Sequence, residues 1–290
     1  MVSAVIDCNF LSYRAGLGFG GLSFNNSDTT VIFGFLNEML TFAKEIKSSY
    51  KPIDKFIFTW DSRKSFRKMA YRDYKKKEPK SAEDMKILDS IHKQMNILRS
   101  EILPAMGFEN VLMMTGIEAD DIIAKIVSRG EIDNEFIIFS SDADLYQLLS
   151  PYCGMYRAKK GLYTLTDFIE EYDITPKEWA EVKAIAGCTS DKLPGIKGIG
   201  EKSAIKYIKD LHLSVGMKKK ITEGKEIIKR NRPIVTLPHK KTKDVKLKKD
   251  VVTPARIKTA FETYGMFSFL KEKRFNEWSS LFCEGGITRR

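Results

Sequence analysis

Four short apolar runs in this chain each lead into carboxylates, and that pattern constrains the fold more than any other feature. Val2–Asp7 ends in an acid, and Lys55–Trp60 is followed at once by Asp61. Asn110–Met114 leads through Thr115-Gly116-Ile117 into Glu118-Ala119-Asp120-Asp121. Glu135–Phe139 leads through Ser140-Ser141 into Asp142-Ala143-Asp144. Short runs rich in Val, Ile and Phe read as buried strands. Between them lie helical patterns at Val31–Ile46, Ala82–Ile102 and Ile117–Ser128, with apolar residues recurring near i, i+3, i+4 and i+7. Strands alternating with helices predict an α/β fold with a doubly wound, mainly parallel sheet. Such sheets bind ligands beyond the carboxyl ends of their strands. Asp7, Asp61, Glu118, Asp120, Asp142 and Asp144 are therefore expected to converge on one cleft.

Acids in the first turn of a helix also serve as caps, which explains any one of these runs. Four strand ends agreeing is harder to explain that way. Repelling carboxylates are costly to gather unless a cation holds them, and carboxylates with waters are the ligands Mg²⁺ or Mn²⁺ prefers. The pattern predicts a metal site.

Charge indicates what such a site faces. The chain of 290 residues carries a net charge of +11. Residues 181–250 alone hold 19 Lys and Arg against 8 Asp and Glu, so the excess is concentrated there. A shorter basic stretch, Arg63–Lys80, carries nine Lys or Arg against Asp73 and Glu78, with Phe66, Tyr71 and Tyr74 interleaved. Either block alone reads most simply as solvated surface. Together with metal-seeking acids, they point to a phosphate polymer as partner. The two tyrosines suit either stacking of an unpaired base or packing of the segment that carries them. Cys8, Cys153, Cys188 and Cys283 have no C-x-x-C spacing, which disfavours zinc or disulfides and fits a reducing compartment. With no apolar run long enough for a membrane and no leader-like start in MVSAVIDCNF, a cytoplasmic protein without membrane contact is expected. His92, His212 and His239 read as surface residues, and no serine or cysteine has an accompanying base for covalent catalysis.

From about Thr175 the strand pattern fades and helices take over, at Lys177–Ala186, Lys218–Arg232 and Thr253–Phe269, with Lys240–Lys249 expected as a partly mobile loop. Between the first two, Gly195-x-x-Gly198-x-Gly200 lacks the preceding strand of a dinucleotide fingerprint. It reads as a tight turn between helices whose N–H groups a phosphate backbone can approach, with Lys197, Lys202 and Lys206 adding charge. A plain glycine-rich hairpin is the simpler alternative.

Several of these segments also match known motifs. Asp7 precedes Tyr13-Arg14; Trp60-Asp61 precedes Phe66-Arg67 and Tyr74-Lys75; then come Gly116-Ile117-Glu118-Ala119-Asp120-Asp121, Ser141-Asp142-Ala143-Asp144, and Ser190-Asp191 with Pro194-Gly195-Ile196-Lys197-Gly198-Ile199-Gly200. Taken together they resemble the flap endonuclease and 5′→3′ exonuclease family, over most of the chain to about residue 210. That family includes the nuclease domain of bacterial DNA polymerase I and stand-alone phage enzymes.

The resemblance implies a PIN-like nuclease domain over 1–175 with a helical arch at about 63–100. A helix-three-turn-helix DNA-binding region and a basic C-terminal part would occupy 176–290. Asp7, Asp61, Glu118 and Asp120 would surround a first divalent metal (Mg²⁺ or Mn²⁺). Asp142, Asp144 and Asp191 would serve a second, with Asp121 in an outer shell. Lys75 and Asp120 would be catalytic. Arg67, Tyr74, Lys75, Gly195, Lys197, Gly198, Gly200 and Lys202 would contact nucleic acid, and a K⁺ would sit near Ile196–Ile199. The substrate would be branched or 5′-ended DNA, or an RNA–DNA hybrid, cut by a monomer during replication or repair. A stand-alone chain of this length suits a phage acting in the cytoplasm of an infected bacterium.

Two departures stand out. Cys188 occupies a position where the family usually has aspartate, which makes the second metal site weak. Glu78 stands where an arginine is usual, with Lys76, Lys77 or Lys80 as substitutes. Two other readings follow: a branched-DNA binding protein that has lost cleavage, and a PIN-like ribonuclease, which the helix-three-turn-helix match disfavours. Glu284–Arg290 shows no sliding-clamp peptide, and protein partners are not legible.

Overall fold

The computed structural model describes residues 1–18, 21–76 and 81–283. The readings made at Lys77, Glu78, Lys80 and Glu284–Arg290 lie outside these residues. The first strand, β1 (Val2–Asp7), is buried along its whole length and passes directly into α1 (Cys8–Gly18). There follow α2 (Thr30–Ser49), β2 (Lys55–Trp60), α3 (Phe66–Ala70), α4 (Ala82–Ile97), β3 (Val111–Met113), α5 (Ala119–Val127) and β4 (Glu135–Phe139). The chain continues with β5 (Cys153–Arg157), β6 (Gly161–Tyr163), α6 (Leu165–Tyr172), α7 (Pro176–Ala186), α8 (Glu201–Ile208), α9 (Val215–Glu223), α10 (Lys225–Val235), α11 (Pro254–Thr263) and α12 (Glu272–Phe282).

The sheet has the order β3-β2-β1-β4-β5-β6, parallel except for β6 against β5. The chain reverses its direction of growth between β1 and β4, which makes their carboxyl ends the switch point where ligands bind. Strand alternation sends Val5, Ile57 and Ile138 to one face, with α5 and α7. Ala4, Ile6, Phe58 and Phe139 go to the other, with α1, α2 and α4. Because both faces are covered, the central strands are apolar throughout, the pattern expected of buried parallel strands.

Three boundaries differ from the sequence reading. The helix expected over Ala82–Ile102 runs on through a π-helical turn (Leu98–Ile102) to Met106. Its second half is core, with Ile91, Met95 and Leu98 buried. Gln94 Oε1 there accepts from the amides of Val31 (2.8 Å) and Ile32 (3.2 Å), so the later part of the expected arch packs against α2. The helix expected over Lys218–Arg232 is broken into α9 and α10 at Gly224, where a Cβ would lie 2.5 Å from the Ile196 side chain. Finally, the C-terminal residues assigned with the second region return to the first: Ile257, Phe261, Phe269, Trp278 and Phe282 share the core of α1, α2 and α4.

Candidate active site

The pairing of β1 with its neighbours builds the centre of the site. Asp7 ends β1 opposite Thr59 of β2, while Ile6 lies opposite Phe139, so Ser140 emerges beside Asp7. The Ser140 hydroxyl donates to Asp7 Oδ2 (2.9 Å) and the Phe10 amide to Oδ1 (3.0 Å), fixing the carboxylate. Asp61 Oδ1 accepts from the Ala119 amide (2.8 Å) and so caps α5 from outside. Asn9 Oδ1 accepts in turn from the Asp61 amide (2.9 Å). At the start of α5, Glu118 accepts from Ser65 Oγ (2.6 Å), Lys75 Nζ (2.9 Å) and Tyr74 OH (3.2 Å). Asp142 Oδ1 accepts from the Asp144 amide (2.9 Å) and starts the 3₁₀ turn Ala143–Leu148. Asp61 and Asp142 thus both hold helix starts, the capping role that acids at such positions also serve.

Electrostatics shows how crowded these acids are. Burial pushes the Asp7 carboxyl up to about 7, with Asp61 and Asp142 adding to the rise. Asp120 is pushed well above the carboxylate range by desolvation and by Asp142 and Asp7. Burial and Asp142 likewise raise Asp144 to about 6. Glu118 goes the other way: burial would raise it, but the Lys75 ammonium and the Ser65 hydroxyl hold it below its usual range. Lys75 stays charged against burial because Tyr74, Glu118, Asp191 and Asp120 surround it. Its backbone amide donates to the Asp191 carbonyl (2.7 Å), tying it to the second region. Carboxylates that resist ionisation together favour a cation, but among the described residues Asp7, Asp61, Glu118 and Asp120 do not bring three ligand atoms as close together as Asp144, Cys188 and Asp191 do.

A second cluster involves Asp144, Cys188 and Asp191, whose ligand atoms all lie within 4.8 Å of one another. Cys188 is buried, its Sγ 3.0 Å from Ser190 Oγ, and burial and Asp144 raise its thiol. The Lys183 ammonium sits 3.5 Å from Asp144 and 2.8 Å from Glu201, a cation already inside the site. A neutral thiol is a poor ligand for a hard ion. Cys188→Asp is therefore expected to tighten Mg²⁺ binding at this cluster by about tenfold, the scale on which changes near a metal move its affinity. In EDTA the variant melts below the parent, because a third carboxylate joins Asp144 and Asp191, and Mg²⁺ closes the gap. Thermal melts across a Mg²⁺ titration check this. An unchanged Mg²⁺ dependence in a folded variant would remove Cys188 from the metal's surroundings.

Some residues singled out from sequence do other work. Asp121 is fully buried, and its two oxygens accept from the Arg67 guanidinium and the His239 amide (2.6 Å). Arg67, expected on nucleic acid, is buried too. Its Nε donates to the Ile234 carbonyl (2.5 Å) and its Nη2 to that of Thr236 (3.0 Å). Tyr74 is buried against Glu118, so packing rather than base stacking is its role. Gly195 is a packing glycine: a Cβ there would meet Ala186 at 2.1 Å. Gly200 leaves open space, a Cβ at Gly198 (φ +80°) would lie 3.4 Å from Lys220 Nζ, and Lys197 and Lys202 are exposed beside them. Of the histidines, His212 is exposed. His92 bonds Tyr13 OH (2.9 Å) and His239 stacks on Phe66. Lys183, Ser65 and Ser140 escaped the sequence reading. Ser140 had a signal, since it directly follows a strand neighbouring that of Asp7.

Comparison with known proteins places this geometry. Residues 3–173 match the family described as the 5′-3′ exonuclease, N-terminal resolvase-like domain. The thermostable DNA polymerase I of Thermus thermophilus is 32% identical over 208 residues, which are 71% of this chain and 24% of that polymerase. DNA polymerase I of Mycobacterium leprae is 32% identical over 216 residues, 71% of this chain and 22% of that protein. The chain thus spans about a quarter of the length of these relatives. Among solved structures, the T5 D15 protein co-crystallised with metal ions superposes with a TM-score of 0.67 at 20% identity, covering 82% of this chain and 90% of that one.

Proposed function

The chain belongs to the 5′-3′ exonuclease family, and from that premise we propose that it is a divalent-metal-dependent phosphodiesterase cutting DNA near 5′ ends and at 5′ flaps. What supports the reading is the crowding of Asp120 by Asp142, Asp7 and Asp61 beyond the carboxyl ends of the central strands, with the Lys75 ammonium 2.9 Å from Glu118. A bacteriophage T5 flap endonuclease of the same fold has been solved with DNA and metal ions, which supports both the ion and the substrate class.

Asp7, Asp61, Glu118 and Asp120 would hold a first Mg²⁺ or Mn²⁺, and Asp142, Asp144 and Asp191 a second, weaker one. Bound there, the metals supply a lowered pKa for water and a positive charge against the scissile phosphate. The protein's own part is positioning. Ser140 and the Phe10 amide aim Asp7, and Ser65 with Tyr74 aims Glu118. Lys75, held charged by its acidic neighbours, adds a fixed positive charge where negative charge develops on the phosphate. The amides around Gly198 and the open Gly200, with Lys197 and Lys202, would hold duplex phosphates without reading bases. The turn at residues 196–199 is where a K⁺ would assist that grip. An RNA–DNA hybrid would serve as substrate too, and the protein would act as a monomer in the cytoplasm.

The test is a labelled duplex with a 5′ flap, incubated in Mg²⁺ and in EDTA. Release of short 5′ fragments in Mg²⁺ alone is expected. Tight binding without cleavage in Mg²⁺ or Mn²⁺ would instead make it a branched-DNA binding protein, and preferential cutting of single-stranded RNA would make it a ribonuclease.

A further inference from the structure

The segment between α10 and α11 contains no helix or strand, yet it is firmly attached. At its first end the His239 amide donates to Asp121 and the imidazole stacks on Phe66. Leu237 N donates to Gln147 Oε1 (2.9 Å). In the middle, Arg129 Nη1 donates to the Val245 carbonyl (2.7 Å), and Lys125 and Arg129 neutralise Asp244. At the far end Lys248 N and the Asn110 side chain exchange hydrogen bonds (2.8 and 3.0 Å), and Val251 N donates to Gly107 O (2.8 Å). Gly107 is required there: a Cβ would lie 2.5 Å from the Val251 carbonyl.

The segment therefore runs as a strap from Asp121, at the cleft end of α5, to Asn110, which precedes β3 at the opposite end of the sheet. Thr242 and Val245 point inward. Its acids are also turned to the protein, Asp244 onto Lys125 and Arg129, and Asp250 onto the Glu109 amide (2.8 Å). Lys240, Lys243 and Lys246 are exposed, and among the described residues no acid pairs with them. Long irregular segments held this tightly are usually functional. Eight peptide steps from Lys240 to Lys248 reach at most about 26 Å, the rise of about eight base pairs.

We propose that the strap is a second duplex-binding track, along which the phosphate backbone of a DNA arm continues beyond the cleft. Duplex is favoured over single strand because residues 240–250 contain no aromatic residue, and single strands are gripped by stacking on aromatics. A firmly attached backbone carrying exposed lysines suits a stiff helix. This inference rests on the reading of the chain as a DNA-acting protein.

The test uses the triple variant Lys240→Ala, Lys243→Ala, Lys246→Ala, with Lys243→Glu plus Lys246→Glu as a second variant, both checked by thermal melting. Flap duplexes with either arm short or long, about 6 or 18 base pairs against the eight the strap can cover, are bound in EDTA and followed by anisotropy. The parent should gain affinity when one arm is lengthened. The triple variant should lose that gain, and its salt slope on the long arm should fall by about two to three, near 0.9 per contact. Short-arm binding should not change. Equal arm-length gains and slopes in parent and folded variants would overturn the track. Recovery of the lost affinity by a longer single-stranded 5′ extension would also overturn it, in favour of a single-strand path. A parent that neither binds nor cuts the flap duplex would instead defeat the functional reading beneath it.

Discussion

Replacing Asp120 by asparagine is expected to stop cleavage while leaving DNA binding close to intact. Asp120 stands in the first turn of α5, where desolvation and the carboxylates of Asp142 and Asp7 push it well above the carboxylate range. Such a group is poorly tolerated without a cation and strongly favourable to one. Asparagine keeps the shape and one oxygen but removes the charge. Outer-shell partners of a metal are worth 10–100-fold, so losing a direct ligand should cost about a thousandfold or more in rate. Binding behaves differently, because the phosphate being held is itself repelled by the acid. The same substitution relieves the crowding of Asp7 and Asp142, so in EDTA the variant should melt at or above the parent's temperature. Rates, gel-shift affinities and melts of the two proteins measure all three effects. Affinity falling in step with activity would show that Asp120 supports substrate binding, and the assignment as a metal ligand would fail.

The strand ends that carry the acids were legible, because buried strands are marked by uninterrupted apolar runs. β1, β2 and β4 lie in the middle of the sheet, covered on both faces, and appear in sequence as such runs. The sheet's far edge was not legible. β5 carries Gly154 and is followed closely by the three-residue β6, leaving too little pattern to separate from a loop. α1 was hidden for another reason: the face it buries includes Ser12 beside Leu11 and Ala15, so apolar spacing is broken. In the site, residue type misled wherever a side chain turned inward. Tyr74 and Arg67 belong by composition to an exposed basic stretch, and only the fold reveals their buried acid partners, Glu118 and Asp121. Cys188 was legible as a departure at the second acidic set, and its thiol lies within reach of both Asp144 and Asp191.

Arg67 yields the largest expected effect on stability. Its guanidinium meets both carboxylate oxygens of Asp121 and also donates to the carbonyls of Ile234 and Thr236, with arginine and aspartate both buried. One side chain thereby fastens α3, the start of α5 and the end of α10, three parts that frame the cleft. Arg67→Met removes the cation and leaves Asp121 buried with only the His239 amide as donor. Breaking a buried pair from one side typically costs about 3–5 kcal/mol. That is a large share of a domain's stability, about 5–15 kcal/mol in all. Adding Asp121→Leu removes the stranded charge, so the double variant should be more stable than Arg67→Met alone, because a buried pair replaced as a whole is often near neutral. Urea melts of the parent, both single variants and the double variant complete the cycle. Were Arg67 instead a DNA contact, Arg67→Met would weaken binding with an unchanged melt and no coupling to Asp121. The same cycle read by salt-dependent binding separates the two cases, because a buried arginine contributes nothing to the release of counterions from DNA.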